Sequence, residues 1–205
     1  MLRLGSRPSG EVAVFAPDVF GALSAFLDLV DRLQLPCVIG GSVASSLQGL
    51  PRQTIDLDVV VELPGDRVDA LVVAAAASFY VSEFAVREAV RNQRAFNLIH
   101  VETAFKIDCY IAGPDQFDRA QFDRAIAVEL PGLPGRILRV ASAEDVILRK
   151  LEWYRLGHEV SERQWHDVIG VLKVQGDRLD TGYLDAWAAI RGVSELLARA
   201  RAAAG

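Results

Sequence analysis

The chain has 205 residues, 51% of them hydrophobic and 24% charged, with a formal net charge of −5. That size suits one domain, or one domain with a small appended part, and the acidic balance excludes general charge-driven nucleic-acid binding, which needs a broad basic surface. Apolar runs such as Leu71 to Ala77 fall far short of the roughly 20 residues that cross a bilayer, so no membrane span is expected.

The start of the chain, Met1 to Gly10, carries Arg3 and Arg7 but lacks the apolar stretch of roughly 7 to 15 residues that a secretory signal requires. Residues 1–15 therefore read as a tail, and the protein as cytoplasmic. Phe20, Leu23, Phe26, Leu27, Val30 and Leu33 recur at three- and four-residue spacing, which predicts an amphipathic helix over 18–34, ended by Pro36. A short strand follows at 37–39. Gly40 and Gly41 then make a turn, Ser42 is expected to cap a short helix, and Gly49 with Pro51 stops it. Over 55–63, Ile55, Leu57, Val59 and Val61 alternate with Asp56, Asp58 and Val60, the period of a strand.

Helices are expected over 66–79 and 82–93. Residues 96–101 and 105–112 predict an antiparallel hairpin, the second strand alternating Phe105, Ile107, Cys109 and Ile111 against Lys106, Asp108 and Tyr110. Residues 113–135 form a passage containing proline and glycine. Beyond it Ser142, with Asp145 three residues on, caps a helix with Val146, Ile147, Leu151 and Tyr154 on its core face. Further helices are expected over 161–174, 180–191 and 193–203. The fold class is therefore α+β: a short mixed sheet flanked by helices over 16–135, then a helical C-terminal part over 136–205.

Asp56 and Asp58 project from one face of their strand with backbones roughly 6.5 to 7 Å apart. Two carboxylates so close, among valines, repel each other and are poorly hydrated unless a cation sits between them. Magnesium meets that need, since it takes one or two carboxylates together with substrate phosphates. An edge strand with one solvated face explains the pair equally well. A third carboxylate, Asp108, lies on the polar face of a strand that can pair beside the first, and three aspartates on one face suit a two-metal site. Upstream, Gly40 and Gly41 allow close backbone approach, and the helix start at Ser42 offers N–H groups and a positive dipole end to a phosphate.

The stretch GGSVASSLQGLPRQTIDLD, residues 40–58, followed by a later strand bearing Asp108, resembles the nucleotidyltransferase superfamily with the DNA polymerase β-like fold. It is most similar to the small bacterial nucleotidyltransferases related to minimal nucleotidyltransferases and to abortive-infection toxins of toxin–antitoxin pairs. The resemblance covers residues 25–112 well and extends more loosely to about 190. It implies transfer of a nucleoside monophosphate from an NTP to a hydroxyl on RNA or tRNA, a protein or a small molecule, with pyrophosphate released. It also implies two Mg²⁺ ions, or Mn²⁺ in their place, held by Asp56, Asp58 and Asp108, with Asp108 helping to activate the acceptor. Gly40, Gly41 and Ser42 would hold the terminal phosphates. Arg52 would contact them or brace the aspartate strand. The later segments ASAEDVILRKLEWYRLG and ERQWHDVIGVL resemble a helix with an inward lysine, Lys150, reaching toward the phosphates, followed by an Arg-x-x-x-Asp helix. An antitoxin is an implied partner. The alternative is a catalytically silent module of the same fold that binds a nucleotide or a partner.

Other residue sets read as structural. Arg163 and Asp167, four apart on one helix, are expected to pair with each other. Arg87, Arg91 and Arg94 read as a solvated helix face rather than an RNA-binding stripe. Trp153, Tyr154, Trp165 and Trp187 read as packing residues of the C-terminal helices. His158 and His166 match no zinc spacing, and Cys37 and Cys109 read as buried thiols.

Overall fold

Apolar residues at helical spacing bury one side of α1 (Val19–Arg32), where Ala22, Leu23, Phe26, Leu27 and Val30 face the core. The computed structural model describes residues 19–205 apart from Pro131, so the tail expected over residues 1–15 lies outside them. Strand β1 (Cys37–Ile39) leads into α2 (Gly41–Gln48), and β2 (Asp56–Val61) returns antiparallel to β1. Leu57, Val59 and Val61 are buried as the alternation requires; Ile55 falls outside the strand and is 84% exposed.

The helix expected over 66–79 is shorter. After a single 3₁₀ turn at Gly65–Arg67 comes α3 (Val68–Ala75), followed by a two-residue strand, β3 (Phe79–Tyr80). Next are α4 (Glu83–Asn92), capped by Ser82, and the hairpin of β4 (Ala95–His100) with β5 (Lys106–Ile111). The passage over 113–135 is more ordered than its composition suggests. Asp115 caps α5 (Gln116–Arg124), and β6 (Ile126–Glu129) pairs antiparallel with β7 (Ile137–Val140). Strand β7 in turn lies parallel to β1, so the sheet runs on to Val140. Its order is β3-β4-β5-β2-β1-β7-β6, with β2 parallel to β5 at the centre.

Four helices complete the described chain: α6 (Ala143–Leu156), α7 (Glu162–Gln175), α8 (Thr181–Ile190) and α9 (Ser194–Ala204). The Ser142 hydroxyl accepts from the Asp145 N–H and donates to its carboxylate at 2.8 Å, while the Tyr183 hydroxyl donates to the same side chain at 2.7 Å, so fully buried Asp145 ties α8 to the start of α6. Helices α6 and α7 pack on each other and on α2, which brings them to the end of β2 that carries the aspartates. Cys109 is buried and Cys37 nearly so, and burial raises both thiols above the ordinary range. No helix among the described residues is long and apolar enough to cross a membrane.

Candidate active site

Register decides which side chains meet. In the parallel pairing of β2 with β5, Asp58 lies opposite Asp108 and Asp56 opposite Lys106, all on the face that the buried Leu57, Val59, Ile107 and Cys109 do not occupy. The three aspartates therefore share one side of two adjacent strands. Burial, followed by the charges of Asp56 and Asp108, raises the Asp58 carboxyl above the usual range; the Lys150 ammonium and the Ser42 N–H act in the opposite sense. Asp56 is steadied by Thr54, whose hydroxyl donates to its Oδ1 at 3.1 Å.

The glycine pair is fitted to Asp58. The Gly40 N–H donates to the Asp58 carbonyl at 2.9 Å, and Gly41 adopts φ +53° with its α-carbon against the Asp58 side chain. A Cβ on Gly41 would lie 1.8 Å from Asp58 Oδ2. Left-handed backbone and absent side chain are thus needed at the same residue. Gly41→Ala is expected to cost about 1–3 kcal/mol in stability through backbone strain and to displace the Asp58 carboxylate. A thermal melt and Mg²⁺ titration of the variant check both effects. Ser42 does not cap α2: Gly40 holds the cap position, the helix begins at Gly41, and no side chain caps it. Instead the Ser42 backbone N–H favours the charged form of Asp58, and the Ser42 hydroxyl accepts from Arg52 Nη2 at 2.5 Å.

Arg52 and Lys150 converge on one carboxylate. Arg52 donates to Asp167 through Nε at 2.9 Å and Nη2 at 3.0 Å, and Lys150 Nζ lies 2.7 Å from Asp167 Oδ2 and 3.0 Å from Gln164 Oε1. The Arg163–Asp167 pair expected from i,i+4 spacing does not form, and Arg163 points into solvent. The reason is burial: Lys150 is only 4% exposed, so its charge requires a partner, and Asp167 is the carboxylate within reach. Burial lowers the Lys150 ammonium, with Asp167 opposing the shift. Asp167 is held below the usual carboxylate range because its bonds to Arg52 and Lys150 outweigh its burial, the largest single influence and one acting upward.

No protein-family model and no curated protein matches the chain in sequence. Solved structures match its fold. A nucleotidyltransferase-like protein from Paracoccidioides brasiliensis aligns over 91% of this chain and 93% of its own, with a TM-score of 0.52 at 18% identity. ANT(2'')-Ia, in complex with adenylyl-2''-tobramycin, aligns over 83% of this chain and 95% of its own, with a TM-score of 0.53 at 19% identity. The chain has the nucleotidyltransferase fold.

In this nucleotidyltransferase fold several residues stand beside the aspartates that motif spacing did not single out. Lys106 Nζ lies 2.7 Å from Asp108 Oδ2, and that bond raises the ammonium. Asn97, opposite Asp108 on β4, donates its amide to Asp108 Oδ1 at 2.6 Å when its nitrogen faces the carboxylate. Tyr110 follows Asp108 by two residues on the same strand face, and burial together with the three aspartate charges pushes its hydroxyl up to about 12. The signal for Lys106 and Tyr110 was present, since both share the polar face of the Asp108 strand. Trp153, expected in the packing, is 50% exposed and tilts against Tyr110, whereas Tyr154 stacks on Trp165 and Trp187 packs on Phe117.

Among the described residues no group of three or more acidic, histidine or cysteine side chains is already placed to hold a metal ion. Magnesium does not demand one, because it keeps waters and takes carboxylates together with substrate phosphates. Asp56, Asp58 and Asp108 supply only hard oxygen donors, and the upward shift of Asp58 reflects burial first and then the neighbouring carboxylate charges, both of which a cation offsets. The donor set fits Mg²⁺ or Mn²⁺ arriving with a triphosphate.

Proposed function

We propose that the protein is a metal-dependent nucleotidyltransferase that moves a nucleoside monophosphate from an NTP to a hydroxyl acceptor. The observation that carries this reading is the in-register pairing of Asp58 with Asp108, with Asp56 two residues away and Gly41 open against Asp58. Asp56 and Asp58 would hold both ions and Asp108 one of them. When bound, two divalent ions stabilise the attacking and leaving oxygens of an in-line displacement. Asp108 orients the acceptor hydroxyl and helps to draw off its proton. The acceptor oxygen bonds the α-phosphorus, the bond to the bridging oxygen breaks, and pyrophosphate leaves. Lys150 faces the terminal phosphates as a point charge, and Arg52 fixes Ser42 and Asp167 around it. Arg52 therefore acts as a brace.

A small-molecule or protein acceptor is favoured over RNA. Arg87 is paired with Glu83 and Asp69, and Arg91 with Glu88, so the arginines of α4 are matched by acids. ANT(2'')-Ia, which holds adenylyl-2''-tobramycin, provides a structural precedent for a small acceptor. A toxin working beside an antitoxin is a second setting for the same chemistry, and a partner copurifying from the native host would support it.

The test is incubation with each labelled NTP, Mg²⁺ or Mn²⁺, and panels of small molecules, protein lysate and total RNA, wild type against Asp56→Ala/Asp58→Ala. Label transferred by wild type alone is the expected result. NTP binding without transfer to any panel favours the silent binding module. Neither NTP binding nor metal binding by calorimetry sinks the enzyme reading.

A further inference from the structure

Trp153 is the feature of this face that the proposed chemistry leaves unused. It follows Lys150 by three residues, so the two side chains are neighbours on α6. Half of the indole is open to solvent, and its ring centroid lies 6.1 Å from that of Tyr110 at 58°. Tyr110 stands two residues beyond Asp108 on the same face of β5. The other flank of α6 is clamped: Arg149 pairs with Asp118 and Glu152, and Glu152 pairs with Arg191. Trp153 is thus an exposed ring on a fixed helix, backed by an aromatic residue on the strand face that carries the carboxylates. Burying such a surface against a planar ring gains both apolar area and stacking.

We propose that Trp153, backed by Tyr110, is the stacking platform for the base of the bound NTP, a role that rests on the nucleotidyltransferase reading of the adjacent carboxylates. The base is the favoured occupant because Lys150, one turn earlier on the same helix, and Asp108, two residues before Tyr110 on β5, would engage the phosphates and metal of the same molecule. Stacking on an aromatic face is tolerant of base identity. The donor site should then gain affinity from all four bases.

Calorimetry of the full chain in Mg²⁺ compares ATP, GTP, CTP, UTP and inorganic tripolyphosphate on wild type, Trp153→Ala and Trp153→Phe. The expected result is that Trp153→Ala weakens each NTP by about tenfold or more, that Trp153→Phe loses far less, and that tripolyphosphate binding is unchanged. NTP should also quench wild-type tryptophan emission where tripolyphosphate does not, with that quench missing in Trp153→Phe; this readout does not depend on the alanine variant folding. Unchanged NTP affinities, as an acceptor-ring site would give, or an equal loss for NTP and tripolyphosphate, would overturn the platform. Wild type binding NTP no more tightly than tripolyphosphate also overturns it while leaving the nucleotidyltransferase reading standing. Wild type binding neither removes both.

Discussion

Replacing Asp58 with asparagine is expected to abolish nucleotidyl transfer and, at neutral pH, to raise the melting temperature of the protein in metal-free buffer. The two effects share one cause. Burial, with Asp56 and Asp108 close by, raises the Asp58 carboxyl in the native state, so the folded protein holds that proton more tightly than the unfolded chain does. Stability from this group is therefore lost as pH rises from the unfolded value, about 3.9, through the raised native value, and the full penalty applies above it. Asparagine carries no charge at any of these pH values and is close to aspartate in size. The variant's advantage should be present at pH 7, shrink as pH falls through the raised native value of Asp58, and be gone below about 3.9, which paired thermal melts across the range will read. Equal melting temperatures at pH 7 would refute the crowding argument. Mg²⁺ should stabilise wild type more than the variant, since binding to the native state alone raises stability by mass action. Transfer should fall by more than about 100-fold, because changes one shell further from a metal already cost about 10- to 100-fold.

The legibility of this site in the sequence followed the range of the forces involved. Period-two alternation is local, so the faces of β2 and β5, and with them the placing of Asp56, Asp58 and Asp108, could be read from the residues themselves. The same alternation put Lys106 and Tyr110 on that face, though nothing in spacing alone marks a lysine or a tyrosine as part of a carboxylate cluster. Asp167 was misassigned because a local rule, i,i+4 pairing, competes with tertiary burial: Arg52 lies 115 positions away in the chain, yet the helices deliver it and a buried Lys150 to the same carboxylate. Strands β6 and β7 bury only Val128, Leu138 and Val140, too few to establish a period in a passage rich in proline and glycine. Helix α5, QFDRAQFDR, has two phenylalanines five residues apart, and its helical signal came from the Asp115 cap instead. Trp153 looked like core because its neighbours are core; only the fold shows that one side of α6 opens beside Tyr110.

Asp167→Ala is expected to produce the largest loss of stability of any single change at the site. Among the described residues the substitution strips Lys150 of its ion-pair carboxylate and Arg52 of both its carboxylate bonds, leaving an ammonium that is 4% exposed with Gln164 as a remaining hydrogen-bond acceptor. Breaking one partner of a buried pair costs about 3–5 kcal/mol, largely through the charge left behind. Removing both charges is a different matter, because a buried pair replaced by well-packed apolar side chains is often neutral or stabilising. Lys150→Met/Asp167→Leu should therefore recover most of the stability lost in Asp167→Ala, as chemical denaturation will read. Transfer should not recover, since the double variant lacks the lysine proposed to face the phosphates and leaves Arg52 without the carboxylate that aims it at Ser42. A double variant that is both stable and fully active would show that the Arg52, Lys150 and Asp167 cluster serves packing alone. Restored stability without activity would separate the two roles and locate the functional one in the charges.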